Sequence, residues 1–228
     1  MAINIKQTND IENHGVKIIC HGQAGAGKTR MISTIKDLDR TIIISAEAGL
    51  LSLKDFDINY IDVRNKDDVG DAYRWITESQ EAKDIKWVCL DSLSEIGEVV
   101  LLAEKESQRD ARKAYGEMAD VMSKMIKSFR NLKGRHVYMT CKTEPIEGII
   151  KSTPGMPGQK LGNNIPYWFD EVFCLKVAKD KETGETKRWL ICQKDGDHLA
   201  KDRSGALEET EAPNLEYLKN KILGVNNG

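Results

Sequence analysis

A glycine-rich stretch between an apolar run and a helix-like run has the residue types and spacing to bind phosphate. The residues GQAGAGKT, 22–29, fit the pattern G-x-x-x-x-G-K-[ST] and follow the apolar run VKIIC at 16–20. Glycines let the backbone turn its N–H groups toward phosphate oxygens. The lysine of this pattern reaches the β- and γ-phosphates, and its Ser/Thr hydroxyl ligates Mg²⁺. The alternative is a plain glycine-rich turn, but a strand before it and a predicted helix after it, 28–38, favour a nucleoside triphosphate site.

We therefore expect ATP and Mg²⁺ as ligands, with Lys28 serving catalysis and Thr29 holding the metal. The residues predicted to contact the nucleotide run through the whole loop: Gly22, Gln23, Ala24, Gly25, Ala26, Gly27, Lys28, Thr29 and Arg30.

A second metal-holding group is expected at Asp91, which ends the apolar run WVCL. A carboxylate at this position can hold Mg²⁺, usually through water. The alternative is an aspartate that only begins the turn after the strand. Ser92 is expected to support Asp91 by hydrogen bonding.

Hydrolysis also needs a group that positions or deprotonates the attacking water. Glu47 follows the second apolar run, TIIIS at 41–45. Because parallel strands end at the same edge of a sheet, Glu47 and Asp91 should face the same γ-phosphate. Glu47 is the predicted catalytic carboxylate; Glu95 is its rival, and a capping carboxylate is the alternative role.

The elements that position these groups alternate between strands and helices, which predicts an α/β fold with a mostly parallel sheet flanked by helices and antiparallel strands at the C-terminal edge. We divide the chain into an N-terminal arm, 1–15, a core, 16–205, and an acidic tail with a C-terminal helix, 206–228. Residues 143–166, with four of the five prolines, are predicted to form a long irregular loop.

Composition excludes several classes of protein. A net charge of −2 means that any nucleic-acid site must be a local patch. The five cysteines lie singly in strand-like runs without C-x-x-C spacing, which argues against zinc and disulfides and for buried thiols in a reducing compartment. Without a membrane-length apolar run or a signal pattern, we expect a cytoplasmic protein (host cytoplasm if phage-encoded) with no membrane contact.

Taken together, GQAGAGKT, the glutamate at the second strand end and WVCLDS resemble the RecA-type ATPase core. Many AAA-type ATPases have a glutamate directly after the metal aspartate; Ser92 stands there instead, which favours the RecA type. The layout is more closely similar to the phage single-strand annealing proteins of the Sak type. The matching segments are the loop, AEAGLLSL, WVCLDSLSE, MPGQKLGNNIPYWFDEVFCL and LAKDRSG.

The resemblance implies further catalytic groups. The catalytic glutamate of the RecA family corresponds to Glu47, and a γ-phosphate sensor corresponds to Thr140 or Lys142. Lys201 and Arg203 correspond to a basic pair that reaches the γ-phosphate of a neighbouring subunit; the alternative is an ordinary charged turn.

The resemblance also implies two DNA-binding loops. The second is 143–166, where Lys151, Met156 and Lys160 would contact single-stranded DNA; the alternative is a lid or a subunit contact. The first lies near 108–115, where basic side chains would contact the DNA backbone; a solvated helix junction is the alternative. The basic residues of that first loop are Arg109, Arg112 and Lys113.

The leading prediction is a Mg²⁺-dependent, DNA-stimulated ATPase that assembles with itself, as a filament or ring, on single-stranded DNA and promotes phage recombination or strand annealing. A single-strand DNA-binding protein is a further candidate partner. The alternatives are a ring-type DNA motor, helicase loader or packaging ATPase, a small-molecule P-loop kinase, and a nucleotide-gated binding protein that barely hydrolyses.

Overall fold

A central sheet with helices on both faces carries the predicted functional residues. The computed structural model describes residues 15–47, 50–146 and 150–225. Within them the strands are β1 (Lys17–Gly22), β2 (Thr41–Ser45), β3 (Asn59–Asp62), β4 (Trp87–Asp91), β5 (His136–Ile146), β6 (Ile150–Gly155), β7 (Glu171–Lys179), β8 (Thr186–Ile191), β9 (Lys201–Asp202) and β10 (Thr210–Glu211). The helices are α1 (Lys66–Glu78), α2 (Leu93–Ser107), α3 (Ala111–Arg130), α4 (Gln159–Trp168) and α5 (Leu215–Ile222).

The strand order is β10-β8-β7-β1-β5-β4-β2-β3, with β6 added to β5 and β9 to β7. The strands from β7 to β3 in this order are parallel, whereas β6, β8, β9 and β10 pair antiparallel. Every residue of β1, β2 and β4 is buried, which explains why these strands are continuous apolar runs covered on both faces. The predicted α/β fold, a mostly parallel sheet flanked by helices with antiparallel strands at the C-terminal edge, is confirmed.

Each face of the sheet has its own core. One face packs against α1 to α4 and includes Ile76, Val100, Met122 and Phe129. The other packs against the segment after the phosphate loop and against α5, through Ile32, Tyr138, Phe173 and Leu218. All five cysteines are free and buried, as predicted. No helix in the described part of the chain is long and apolar enough to cross a membrane.

The predicted helix at 28–38 is wrong in type and length. A six-residue 3₁₀ helix, Thr29–Thr34, replaces it, and Ile35 is already extended. The hydroxyls of Ser33 and Thr34 donate to carbonyls three residues earlier, at 2.7 and 2.6 Å. Such local side-chain bonds, together with β-branched residues, compete with the α-helical pattern.

The predicted irregular loop at 143–166 is also wrong. β5 continues to Ile146, β6 pairs back onto it, and α4 follows. The prolines explain the wrong prediction: Pro154 lies on β6, which lies off the main strand order beside β5, and a strand at an edge tolerates a missing N–H. Pro166 lies near the end of α4. Residues 1–14 of the predicted arm, 1–15, lie outside the described part of the chain. The predicted tail helix is α5, which packs on the core through Leu215 and Leu218.

Candidate active site

The phosphate-binding loop follows β1 and closes on itself. Gly25 and Gly27 have φ angles of +73° and +111°, which residues with a Cβ rarely adopt. At Gly22 a Cβ would lie 2.8 Å from the carbonyl oxygen of Leu175, so glycine is required there by the close approach of β7. Lys28 Nζ donates to the carbonyl oxygens of Gly22 at 2.8 Å and Gln23 at 3.2 Å. The lysine thus lies across the loop where phosphate oxygens would bind.

Asp91 is held between two hydroxyl groups. Thr29 Oγ1 donates to Asp91 Oδ2 at 2.7 Å, and Thr140 Oγ1 donates to Oδ1. Asp91 is 2% exposed. Burial raises its pKa, and the bonds from Thr140 and Thr29 act in the opposite direction. The predicted pair of metal-holding residues, Thr29 and Asp91, therefore lies together at the carboxyl edge of the sheet.

These oxygen donors fit Mg²⁺. The described residues contain no cluster of three or more His, Cys, Asp or Glu side chains suited to a metal. Mg²⁺ does not need one, because it keeps several waters and binds through one or two protein groups plus substrate phosphates. When bound there, the ion would neutralise phosphate charge. Thr29 and Asp91 are the residues that would hold it.

Glu47 lies beside Asp91, as the parallel register predicts, since Ser45 of β2 pairs with Asp91 of β4. Glu47 Oε1 accepts a hydrogen bond from Ser92 Oγ at 2.6 Å. Ser92 therefore orients Glu47, rather than Asp91 as expected, and its Oγ also accepts from Glu95 N at the start of α2. The arrangement explains why a serine follows Asp91 here.

The rival carboxylate, Glu95, forms an ion pair with Lys142. This ion pair raises the pKa of Lys142. Glu95 is thus engaged by Lys142, whereas Glu47 accepts from the neutral Ser92 hydroxyl, which favours Glu47 as the carboxylate that contacts the attacking water. Between the two candidate γ-phosphate sensors, Thr140 is 0% exposed and bonded to Asp91, whereas Lys142 lines the open cleft.

The cleft has a volume of about 1350 Å³ and is lined by the phosphate loop, except the buried Ala26, together with Glu47, Asp91, Glu95 and Lys142. Its wall also includes residues that sequence reasoning missed: Glu144, Pro145, Leu175, Arg188 and Pro213. Arg30 lines it too, but its Nη1 donates to Ser52 O at 2.7 Å and its guanidinium lies 4.7 Å from the Phe56 ring centre. The Arg30 guanidinium therefore contacts the segment after β2, and its nucleotide contact stays a prediction.

Lys201 and Arg203 lie away from this cleft. Lys201 pairs with Val172 of β7, near the amino end of that strand, whereas Leu175 pairs with Gly22 of the phosphate loop. Lys201 Nζ donates to Pro166 O at 2.7 Å, and Arg203 Nη1 bonds Asp170 Oδ1 at 2.7 Å. Neither can act on the nucleotide of its own chain from this position.

Of the predicted DNA contacts, the structure describes the side chains of Arg109, Arg112, Lys113 and Met156. Arg109 precedes α3, and Arg112 and Lys113 lie in its first turn; all three are exposed. Met156 is 3% exposed and packs in the core, so its predicted contact with DNA is wrong. The side chains of Lys151 and Lys160 lie outside the described part of the structure.

A buried histidine that sequence reasoning missed joins the phosphate loop to β5. His21, the residue before Gly22, is 0% exposed. Its Nε2 lies 2.8 Å from Leu199 O, and because a carbonyl can only accept, Nε2 carries the proton. Nδ1 then accepts from Thr143 Oγ1 at 3.1 Å. Burial lowers the pKa of His21 to about 4.

Comparison with known proteins agrees with this geometry. A family model described as an AAA domain matches residues 14–204. The chain belongs to the AAA domain family. Absence of a carboxylate at position 92 therefore does not exclude an AAA family, contrary to the expectation from the sequence. The chain is a P-loop ATPase domain of this family.

Among solved structures, a KaiC-like protein from the hyperthermophilic archaeon Pyrococcus horikoshii OT3 matches with 15% identity and a TM-score of 0.43 over 78% of each chain. No curated protein matches.

The role of Glu47 is tested by Glu47→Gln. We expect nucleotide affinity to be kept and steady-state ATP hydrolysis to fall by roughly 100-fold, the lower range for loss of a general base. Glu95→Gln is the matched control and should retain most activity. Hydrolysis at the normal rate in Glu47→Gln would contradict the assignment, and loss in Glu95→Gln alone would transfer the role to Glu95.

His21 predicts a pH dependence of stability. Its folded pKa of about 4 lies below the ordinary 6.5, so between these values the unfolded chain binds a proton that the folded chain excludes. Stability should fall as pH drops from 7 toward 4, by up to about 3 kcal/mol from this group. The measurement is urea unfolding at pH 7 and pH 4.5.

The matched variant is His21→Gln, which keeps hydrogen-bonding groups but does not titrate. Its loss of stability between the two pH values should be smaller than that of the natural chain. Part of the loss should remain, because burial also lowers the pKa of His136 to about 4. An unchanged pH dependence in His21→Gln would exclude His21 as its source.

Proposed function

We propose that this ATPase assembles with itself on single-stranded DNA and promotes DNA recombination or strand annealing. The observation that carries the proposal is the β5–β6 hairpin. Its base is bonded to residues on both sides of the nucleotide cleft, and Lys142 at its start lines that cleft.

One set of bonds joins the hairpin to the strand before the phosphate loop. Thr143 of β5 bonds His21 and also lies 2.6 Å from Ser152 Oγ on β6. Ser152 O accepts from Leu199 N at 2.8 Å, and Leu199 O in turn accepts from His21. Movement of the phosphate loop would therefore reach both strands of the hairpin.

A second set joins the hairpin to the turn after Asp91. The buried Ser94 Oγ donates to Gly155 O at 2.7 Å and accepts from Lys142 N at 2.9 Å. Ser94 lies three residues after Asp91, at the start of α2. Buried, fully paired networks of this kind are rigid, so a polymer bound at the hairpin would respond to the state of the nucleotide.

The exposed basic residues Arg109, Arg112 and Lys113 support a phosphate-backbone contact on the same side of the sheet. Lys66, which begins α1 after the carboxyl end of β3, pairs with Glu104 near the end of α2. This contact brings the α2–α3 connection to the carboxyl edge. None of the three basic side chains has an ion pair with another described residue.

Self-assembly is supported by two basic residues at the amino edge of the sheet, opposite the cleft. Lys201 and Arg203 lie at the amino ends of the strands, whereas the cleft opens at the carboxyl ends. Head-to-tail stacking would place this edge against the next protomer's cleft, and such heterologous contacts build rings or filaments. A basic pair supplied this way stabilises phosphate charge in the transition state.

DNA binding is tested with a labelled oligonucleotide by fluorescence anisotropy, with and without a non-hydrolysable ATP analogue, alongside ATPase rates with and without the DNA. We expect nucleotide-dependent binding and DNA-stimulated hydrolysis. The triple variant Arg109→Ala, Arg112→Ala, Lys113→Ala should weaken binding and lower the magnitude of the log–log salt slope by about 2, at roughly 0.7 per phosphate contact.

The matched control removes three exposed lysines that precede β4 and β5 at the amino edge: Lys83→Ala, Lys86→Ala, Lys133→Ala. It makes the same charge change and should leave DNA binding within about twofold, since no phosphate contact is lost. Equal loss in both triple variants would indicate bulk charge instead of a site. No DNA binding in any nucleotide state would exclude the proposal.

The role of Arg203 is tested by Arg203→Ala. Hydrolysis per protomer should rise with protein concentration in the natural chain, and the variant should lose this rise, with a rate at least about tenfold lower at high concentration. Lys181→Ala, an exposed change in the β7–β8 turn, is the control. An unchanged rate and concentration dependence in Arg203→Ala would refute a role in the neighbour's site.

A further inference from the structure

An arginine far along the chain lies against the middle of the phosphate loop. Arg188 Nε donates to the carbonyl oxygen of Ala26 at 3.0 Å, across 162 residues of sequence. A Cβ at Gly27 would lie 3.4 Å from Arg188 Nε and 3.5 Å from its Cδ, so the side chain covers the loop at van der Waals distance. Arg188 also lines the nucleotide cleft.

The register of β7 with β1 and β8 places Arg188 against the phosphate loop. β7 pairs with β1 as far as Leu175 and Gly22, where β1 ends, and then continues to Lys179. β8 returns beside this extension with Arg188 opposite Val177. Opposite residues of antiparallel strands share a face. Val177 packs in the same core as Ala26, so Arg188 is directed to the face that carries the phosphate loop.

The guanidinium keeps most of its donors for a ligand. Nε uses one N–H on Ala26, and neither Nη atom has a hydrogen-bond or ion-pair partner among the residues that the structure describes. The other arginine of the cleft, Arg30, is bonded to Ser52, and Lys142 is paired with Glu95. A planar guanidinium with free paired N–H groups matches two phosphate oxygens.

We infer that Arg188 donates hydrogen bonds to the α- or β-phosphate of the nucleotide bound by its own chain. Its anchor on Ala26 is at the middle of the loop, whose backbone amides cradle those phosphates. Asp91 instead accepts from Thr29, at the end of the loop, where Mg²⁺ and the γ-phosphate are expected. The contact should therefore be the same for a diphosphate and a triphosphate. The inference rests on nucleotide binding in this cleft, which is measured independently in the natural chain.

The experiment is a titration of the natural chain, Arg188→Ala, Arg188→Lys and Lys187→Ala with fluorescent ADP and a fluorescent non-hydrolysable ATP analogue at several salt concentrations. Arg188→Ala should raise the Kd of both nucleotides by roughly tenfold, the effect of one charge-assisted hydrogen bond. Arg188→Lys, which keeps the charge but loses the paired donors, should lie between Arg188→Ala and the natural chain. The Kd of Arg188→Ala should also depend less on salt, which the loss of a purely structural contact would not cause.

Lys187→Ala is the control because it removes the same charge from the adjacent residue, on the opposite face of β8, where Lys187 pairs with Asp180. Its Kd values should match those of the natural chain. If Arg188→Ala does not fold, as judged by thermal unfolding without nucleotide, Arg188→Lys carries the test.

Unchanged Kd values in the Arg188 variants would overturn the inference and leave nucleotide binding intact. A loss confined to the ATP analogue would also overturn it, because it would place the guanidinium at the γ-phosphate. Failure of the natural chain to bind either nucleotide would overturn both the inference and the nucleotide site on which it rests.

Discussion

The buried carboxylate of Asp91 is the group on which the rest of the site depends. It ends β4 and accepts from Thr29, after β1, and from Thr140, on β5, so one side chain joins three neighbouring segments of the sheet. A buried charge is costly unless it is paired and hydrogen-bonded. Losing either hydroxyl would leave an oxygen without a partner, at a cost of about 1–3 kcal/mol. The same bonds hold Thr29 and Asp91 together where Mg²⁺ would bind.

The choice of serine after Asp91 follows from this arrangement. With a hydroxyl at Ser92, the carboxylate beside the phosphates comes from β2, as Glu47, and the hydroxyl orients it. Lys142 meanwhile neutralises Glu95 at the start of α2. The two carboxylates of the cleft therefore have different partners: Glu95 contacts a cation, and Glu47 contacts a hydroxyl.

The two edges of the sheet have different chemistry. The carboxyl edge carries the phosphate loop, Asp91 and the hairpin bonded to both by His21 and Ser94. The amino edge carries Lys201 and Arg203, fixed by a carbonyl oxygen and by Asp170. The proposed head-to-tail assembly would bring these fixed cations of one protomer to the cleft of the next.

The sequence by itself determined the phosphate loop, the parallel core and the positions of Asp91 and Glu47. These features are local: glycines at positive φ are required wherever the loop closes, and continuous apolar runs must be buried on both faces. Strand ends of a parallel sheet share an edge, so Glu47 could be placed beside Asp91 without knowledge of the strand order.

Only the tertiary structure decided the 3₁₀ helix after the loop, the β5–β6 hairpin, the core position of Met156 and the contacts of His21 and Arg188. The prolines of 143–166 did not prevent the β5–β6 hairpin, because an edge strand tolerates a residue without an N–H. His21 and Arg188 meet partners more than 120 residues away in the chain. Such contacts depend on which strands are neighbours and in what register, and no local pattern of residue types contains that information.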